Sequence, residues 1–245
     1  MLELKNIYKT FNPGTINEKV ALNGLNLTLN EGDFVTVIGG NGAGKSTMLN
    51  AVAGTWMVDE GQIIIDGIDV TKLSEHKRAA YLGRVFQDPM TGTAATMGIE
   101  ENLALAKRRG KTRFLKPGIT KKEREEYKEL LKILGLGLED KMDVKVGVLS
   151  GGQRQAMALL MSTMTPIEFL ILEVLIEGHE LQAAVELIVA AHRDRKAVVG
   201  MFVLTLAAVQ GGIRDEDAFE TGVLVAKGQG GVAVGARLAF NLLRI

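Results

Sequence analysis

Along the first 75 residues, apolar and polar side chains alternate in short runs that are typical of β-strands. These runs read LELKNI, DFVTVIGG and QIIIDGIDV, and turn residues separate them. A helical spacing appears within residues 121–135, where Tyr127, Leu130, Leu131 and Leu134 form one apolar stripe among charged residues. We therefore expect several strands at the start of the chain and a surface helix farther along it.

The last third of the chain shows a strand, helix and strand pattern. The segment EFLILEVL indicates a strand, ELQAAVELIVAAH a helix and AVVGMFVLTL a second strand. This order implies parallel neighbours in one sheet. The segment GVLVAKGQGGVAVG is a hairpin candidate around residues 228–231. Taken together, the patterns predict an α/β fold with a mainly parallel sheet.

Composition narrows the class of protein. The 245 residues are 47% hydrophobic and 24% charged, which fits one α/β domain with subdomains or two small domains, allows a large core and excludes wholesale disorder. Twenty-nine basic residues balance 29 acidic ones, so net charge gives no reason to expect a nucleic-acid partner. The absence of cysteine excludes disulfides and thiolate zinc sites. The most apolar stretch, 197–209, is shorter than the ~20 residues of a membrane-spanning helix, so we expect a soluble protein.

The composition changes near residue 155. Residues 1–150 contain 15 Lys and 9 Asn, whereas residues 151–245 contain 2 Lys and 1 Asn. One hypothesis is that the second part is chimaeric, redesigned or heavily diverged while keeping the hydrophobic pattern. Chance variation combined with a more buried C-terminal part is the other interpretation, and both stay open.

Residues 39–46, GGNGAGKS, match the pattern G-x-x-x-x-G-K-[ST] of a phosphate-binding loop. The strand-like run FVTVI precedes this loop and the helix-like run KSTMLNAVAG follows it, which is the context that the chemistry requires. Glycines let successive backbone N–H groups converge on a phosphate at a helix N-terminus. Lys45 would reach the β- and γ-phosphates and Ser46 would ligate Mg²⁺. The predicted nucleotide-binding residues here are Gly39, Asn41, Gly42, Ala43, Gly44, Lys45, Ser46 and Thr47.

A second motif, LSGGQ at residues 149–153, precedes the helix-like run AMALLMSTM. Taken alone, Ser-Gly-Gly before a helix is a cap with a tight turn. Together with the phosphate-binding loop, the motif makes residues 1–173 resemble the ATP-binding subunit of ABC transporters. The resemblance implies a head-to-tail homodimer in which each chain closes over the nucleotide of the other. The residues that would do so are Ser150, Gly151, Gly152 and Gln153.

The resemblance also implies a fold and further site residues. We expect a P-loop NTPase-like core with an antiparallel β subdomain in residues 1–90, a helical subdomain with the signature in about 91–165, and a C-terminal α/β part in about 166–245. Gln87 resembles the family's glutamine that contacts Mg²⁺ and senses the membrane partner. Phe11 occupies the place of an aromatic residue that stacks on adenine, although a plain core aromatic is the alternative.

The resemblance weakens where the family encodes hydrolysis. If Glu173 aligns with the catalytic glutamate, Leu172 stands in the place of the aspartate that supports Mg²⁺. If the alignment slides by one residue, Glu173 replaces that aspartate and Val174 stands in the place of the catalytic base. The loop after this strand lacks the family's Leu-Asp, and Leu206 stands where a histidine is expected. We therefore predict that hydrolysis is slow or absent, with Glu173 and Gln87 as the candidate catalytic residues.

The leading hypothesis is a cytoplasmic ATP-binding subunit of an importer, peripheral at the inner face of the cell membrane. Its ligands would be ATP or ADP with Mg²⁺, and its partner a membrane permease subunit. One alternative is a non-catalytic or engineered nucleotide-binding scaffold that keeps the same fold. An ATPase of this family that works outside transport is a third interpretation.

Overall fold

A computed structural model describes residues 1–30, 33–39, 42–86, 88, 90–111, 118–165 and 167–173, together with the backbone of the strands at 199–205 and 224–228. Nine strands and five α-helices lie within these ranges. The strands are β1 (Leu2–Phe11), β2 (Lys19–Leu29), β3 (Phe34–Gly39), β4 (Glu60–Ile65), β5 (Ile68–Asp69), β6 (Leu82–Val85), β7 (Phe169–Glu173), β8 (Val199–Thr205) and β9 (Leu224–Gly228). The helices are α1 (Lys45–Ala53), α2 (Glu75–Arg78), α3 (Ile99–Lys107), α4 (Lys121–Lys132) and α5 (Gly151–Thr163).

The strands form two sheets. One is antiparallel, in the order β2-β1-β4-β5, and the other has the order β6-β7-β8-β3-β9. In the second sheet β6, β7, β8 and β3 run parallel, whereas β9 pairs antiparallel with β3. The carboxyl ends of the parallel strands therefore meet at one edge, which is where ligands bind in open α/β sheets.

One apolar core joins the two sheets to α1. Val35 and Val37 lie two residues apart on β3, so their side chains point to the same face of the sheet. Both are fully buried, in one cluster with Met48 and Leu49 of α1. Leu2 and Leu4 of β1 bury their side chains in the same cluster. The packing fixes α1, and with it the loop before α1, against the parallel sheet.

A second core lies between the helices. The apolar stripe that the sequence predicts on α4 faces inward: Tyr127 and Leu131 are fully buried, and Leu134 packs on the cluster as a half-buried residue. Ile99 and Leu103 of α3 and Met157 of α5 complete the contact. This packing orients α5, whose N-terminus carries the LSGGQ motif.

The sequence-based expectations on secondary structure need one correction. The run QIIIDGIDV forms two strands, β4 and β5, because the chain reverses at Asp66 and Gly67, which both have positive φ. The described part of the hairpin candidate, β9, pairs with β3. The second half of that candidate and the helix predicted at 180–192 lie outside the described residues.

Candidate functional site

The phosphate-binding motif connects the carboxyl end of β3 to the start of α1. β3 ends at Gly39, whose neighbour in the parallel sheet is Thr205 of β8, and α1 begins at Lys45. Gly42 and Gly44 both have φ of 85°, in the left-handed region that glycine reaches without strain. Asn41 lies outside the described residues. This conformation brings the chain to the N-terminus of α1, where unpaired N–H groups favour an anion.

Strand β2 packs directly on this loop. A Cβ atom on Gly44 would lie 2.5 Å from the carbonyl oxygen of Ala21, a distance that real Cβ atoms do not reach. Two independent features therefore require glycine at position 44: its positive φ and the close approach of the neighbouring backbone. Gly42, by contrast, is exposed.

Lys45, Ser46 and Thr47 form the first turn of α1 and differ in burial. Lys45 is 6% exposed and Thr47 is 8% exposed, whereas Ser46 is open to solvent. Burial lowers the pKa of the Lys45 ammonium below the ordinary lysine value. A buried ammonium at a helix N-terminus binds a phosphate with a larger gain in free energy than an exposed ammonium does, because less water must be displaced.

Phe11 is the last residue of β1 and contacts the segment that follows α1. Its ring meets the ring of Trp56 edge to face, with 4.9 Å between centroids. The Lys9 ammonium lies 5.7 Å from the Phe11 centroid and forms an ion pair with Asp59. Phe11 is half-buried, so it has both a packing partner and an accessible part. No sequence pattern identified Trp56 as this partner.

The signature motif forms the N-terminus of α5. Ser150 is the N-cap: its hydroxyl accepts a hydrogen bond from the Gln153 N–H at 3.3 Å, and the Gln153 side chain accepts one from the Ser150 N–H at 3.2 Å. Ser150 is thus the cap that the motif taken alone suggests, and Gly151 and Gly152 belong to the first turn of the helix rather than to a turn before it. Ser150 and both glycines are exposed. The start of α5 is thus open to another molecule.

The carboxyl end of β7 holds Leu172 and Glu173 on opposite faces of the sheet, because side chains alternate along a strand. Leu172 is 2% exposed and packs within the sheet between β6 and β8. Glu173 lies on the face that α1 covers and is half-buried. If Glu173 aligns with the catalytic glutamate, the residue in the place of the aspartate is therefore a buried apolar side chain.

Glu173 is held by an arginine that the sequence analysis missed. Arg84 of β6 donates from Nε to Glu173 Oε1 at 2.7 Å, and its Nη2 lies 2.5 Å from the same oxygen. Nη2 also donates to Asn50 Oδ1 of α1 at 2.8 Å, and Nη1 donates to Thr55 at 3.3 Å. A charged residue within the apolar strand run YLGRVF is rarely buried without a partner, which is the signal that could have pointed to this contact.

Several predicted site residues lie outside the described part of the chain. These are Asn41, Gln87, the loop at 175–180 and Leu206. Leu206 directly follows Thr205, the neighbour of Gly39 in the sheet. Among the described residues, no cluster of histidine, aspartate and glutamate could hold a metal ion by itself, and no helix is long and apolar enough to cross a membrane.

Comparison with protein families matches residues 22–173 to the family described as ABC transporter. A tyrosine transport ATP-binding protein of Clostridioides difficile is 40% identical over 178 residues, which are 71% of this chain and 68% of the relative. A spermidine/putrescine import ATP-binding protein of Haemophilus influenzae is 34% identical over 175 residues, covering 71% of this chain and 42% of the relative.

Solved structures share the fold. A dimeric ATP-binding cassette in a post-hydrolysis state, bound to ADP and Pi, superposes with a TM-score of 0.69 at 27% identity and covers 83% of this chain and 88% of the other. A nucleotide-free ATP-binding cassette from an ABC transporter superposes with a TM-score of 0.69 over 98% of this chain and 95% of the other, at 22% identity. The architecture is therefore that of a P-loop NTPase.

Proposed function

The chain belongs to the ABC transporter family, and on that premise we propose that it is the cytoplasmic ATP-binding subunit of an importer, attached to a membrane permease. The observation that carries this proposal is the loop between β3 and α1. Its glycines at 42 and 44 adopt left-handed conformations, and the buried Lys45 follows them at the N-terminus of a helix. One named relative serves tyrosine transport and another serves spermidine or putrescine import, and the second supports an importer.

The residues present fit the phosphates of ATP or ADP. A side chain at Gly44 would collide with Ala21, so the loop keeps its backbone accessible in a fixed shape. Lys45 supplies a positive charge whose desolvation is offset by a phosphate, and backbone N–H groups of residues 42–46 supply hydrogen-bond donors. The hydroxyls of Ser46 and Thr47 belong to the same turn.

Mg²⁺ would bind through the exposed Ser46 hydroxyl, through Gln87 and through the phosphates themselves. Such a site suits Mg²⁺, which usually keeps few protein ligands beside substrate phosphates and water. When bound, the ion neutralises charge on the phosphates. In the alignment that places Glu173 at the catalytic glutamate, the buried Leu172 takes the place of the aspartate that would support the ion.

We further propose that each chain completes the nucleotide site of a second copy. The exposed Ser150 hydroxyl and the N–H groups of Gly151 and Gly152 form a helix N-terminus that suits an anion. No heavy atom outside the local chain lies within 4 Å of a Cβ placed on Gly151, so a phosphate can approach the backbone there. The dimeric form of the structural relative supports association of two copies.

Hydrolysis is slow or absent in this proposal. If Leu172 stands in the place of the aspartate, it cannot support Mg²⁺, and Oε1 of Glu173 accepts a hydrogen bond from Arg84 Nε within an ion pair, which leaves only Oε2 to orient water. A histidine is missing at Leu206 as well. Each such group typically contributes ~100-fold or more to a rate, so their joint loss leaves little turnover. The Arg84 contact therefore favours a nucleotide-binding protein without effective turnover as the second candidate function.

Thermal unfolding tests nucleotide binding directly. Ligand that binds the native state alone raises stability by about 2.7 kcal/mol at 100 times its dissociation constant, which shifts the melting temperature of a domain this size by several degrees. We expect Mg-ATP and Mg-ADP to produce this shift and Lys45→Ala to remove it. An unchanged melting temperature at millimolar nucleotide, in the wild type and in Lys45→Ala alike, refutes the proposal.

A further inference from the structure

The first residue of β2, Lys19, lies beside the phosphate-binding loop although it belongs to no nucleotide-binding motif. A Cβ atom placed on Gly42 would lie 3.5 Å from Lys19 Nζ. Two residues farther along β2, the carbonyl oxygen of Ala21 lies against Gly44. The start of β2 therefore runs alongside the loop, and Lys19 meets it at the exposed glycine Gly42.

Strand register brings Lys19 next to the aromatic residue at the site. Phe11 and Lys19 are direct partners in the antiparallel β1–β2 pair, so their side chains leave the same face of the sheet. Lys19 therefore lies between Phe11 and the phosphate-binding loop, although it belongs to no known motif.

The Lys19 charge is not neutralised within the described part of the chain. Its neighbour Glu18 accepts a hydrogen bond from the Gly14 N–H at 2.6 Å, and the nearby Lys9 forms an ion pair with Asp59. Among the described residues, Lys19 itself forms no ion pair. It is exposed, so its ammonium is available to an anionic ligand.

We propose that Lys19 is a second phosphate-binding cation of the nucleotide site, acting with Lys45 on the polyphosphate of the bound nucleotide. This inference rests on the proposed nucleotide binding and adds a residue to it. Lys45 contributes a buried charge from the helix side of the loop, and Lys19 contributes an exposed charge from the β2 side. Because Lys19 acts through charge, it discriminates by phosphate content and its effect is screened by salt.

The test compares the affinities of ATP, ADP and adenosine for the wild type, Lys19→Met, Lys19→Arg and Lys45→Ala, measured by calorimetry at low and at high salt. Lys19→Met keeps the aliphatic stem, and Lys5→Met serves as the matched control, since Lys5 lies on β1 and pairs with Glu3. We expect Lys19→Met to weaken ATP binding roughly fivefold at low salt and less at high salt. Lys19→Arg and Lys5→Met should bind as the wild type does.

The outcomes separate this inference from the proposed function. If Lys45→Ala loses ATP while Lys19→Met binds it as tightly as the wild type, nucleotide binding stands and the role of Lys19 is refuted. A loss in Lys19→Met that is equal for ATP and adenosine also refutes it, because the contact would then not be to phosphate. A wild type that binds no nucleotide overturns both.

Discussion

At position 44 the backbone conformation and the neighbouring strand each exclude a side chain. The φ of 85° costs a residue with a Cβ about 1–2 kcal/mol, and the Ala21 oxygen leaves no room for that atom. We expect Gly44→Ala to lower the free energy of unfolding by about 2 kcal/mol or more and to abolish nucleotide binding. Gly118→Ala is the matched control, because a Cβ there meets no atom within 4 Å. Denaturant unfolding compares the two; equal stability of the two variants contradicts this account of the loop.

Lys45 gives the site a pH dependence whose sign follows from its burial. The lowered pKa means that the free protein loses the Lys45 proton at a lower pH than an ordinary lysine does, whereas a bound triphosphate favours the protonated form. Above the lowered pKa, binding must take up a proton. ATP affinity should therefore fall as the pH rises from about 7 toward about 10, with proton uptake visible in calorimetry. Constant affinity over this range, in protein that stays folded, contradicts the role of Lys45.

The helix that carries Lys45 is anchored at its other end by Arg78, which is fully buried. Its Nη1 donates to the carbonyl oxygens of Ala51 and Val52 in the last turn of α1, at 2.6 and 3.0 Å. Nε and Nη2 donate to two further carbonyls, those of Leu73 and Thr71. The guanidinium thus satisfies the helix C-terminus, where a positive charge is also favoured by the helix dipole.

Replacing Arg78 should cost far more stability than replacing an exposed arginine. We expect Arg78→Met to lower the free energy of unfolding by about 3 kcal/mol, since it leaves buried carbonyl oxygens without their donor. Arg124→Met removes the ion pairs of an exposed guanidinium with the half-buried Glu100 and the exposed Asp143 and should cost less, about 1 kcal/mol. Chemical denaturation of both variants provides the measurement. A similar cost for both would mean that Arg78 does not anchor the helix.

Sequence patterns predicted local elements well and long-range contacts poorly. The expected helix at 45–54 and strand at 33–40 match α1 and β3 within a residue, because caps, glycines and periodicity act locally. The contact between Arg84 and Glu173 joins residues on two parallel strands that are far apart in sequence. Periodicity carries no information on which strands become neighbours. Lys19 was missed for the same reason, since its place depends on how β2 packs on the loop.

At the scale of the whole molecule, association should depend on the start of α5. Mg-ATP is expected to drive dimer formation, and Ser150→Arg is expected to abolish it by adding bulk and charge at the exposed N-cap. The substitution also removes a cap worth about 1 kcal/mol. Thr120→Arg controls for that loss, because Thr120 caps α4 with the same capping box. Analytical ultracentrifugation with and without Mg-ATP makes the comparison; a nucleotide-independent dimer that survives in Ser150→Arg would point to another interface.

Binding without effective turnover is the central claim, and the fate of bound ATP tests it most directly. Protein in excess is mixed with Mg-ATP labelled in the γ-phosphate, and the retained nucleotide is separated into ATP and released phosphate over time. We predict that the wild type retains the label as intact ATP and that Lys45→Ala retains none. Failure of the wild type to retain label, or conversion of the bound ATP to ADP at a rate that Glu173→Gln abolishes, would contradict the claim.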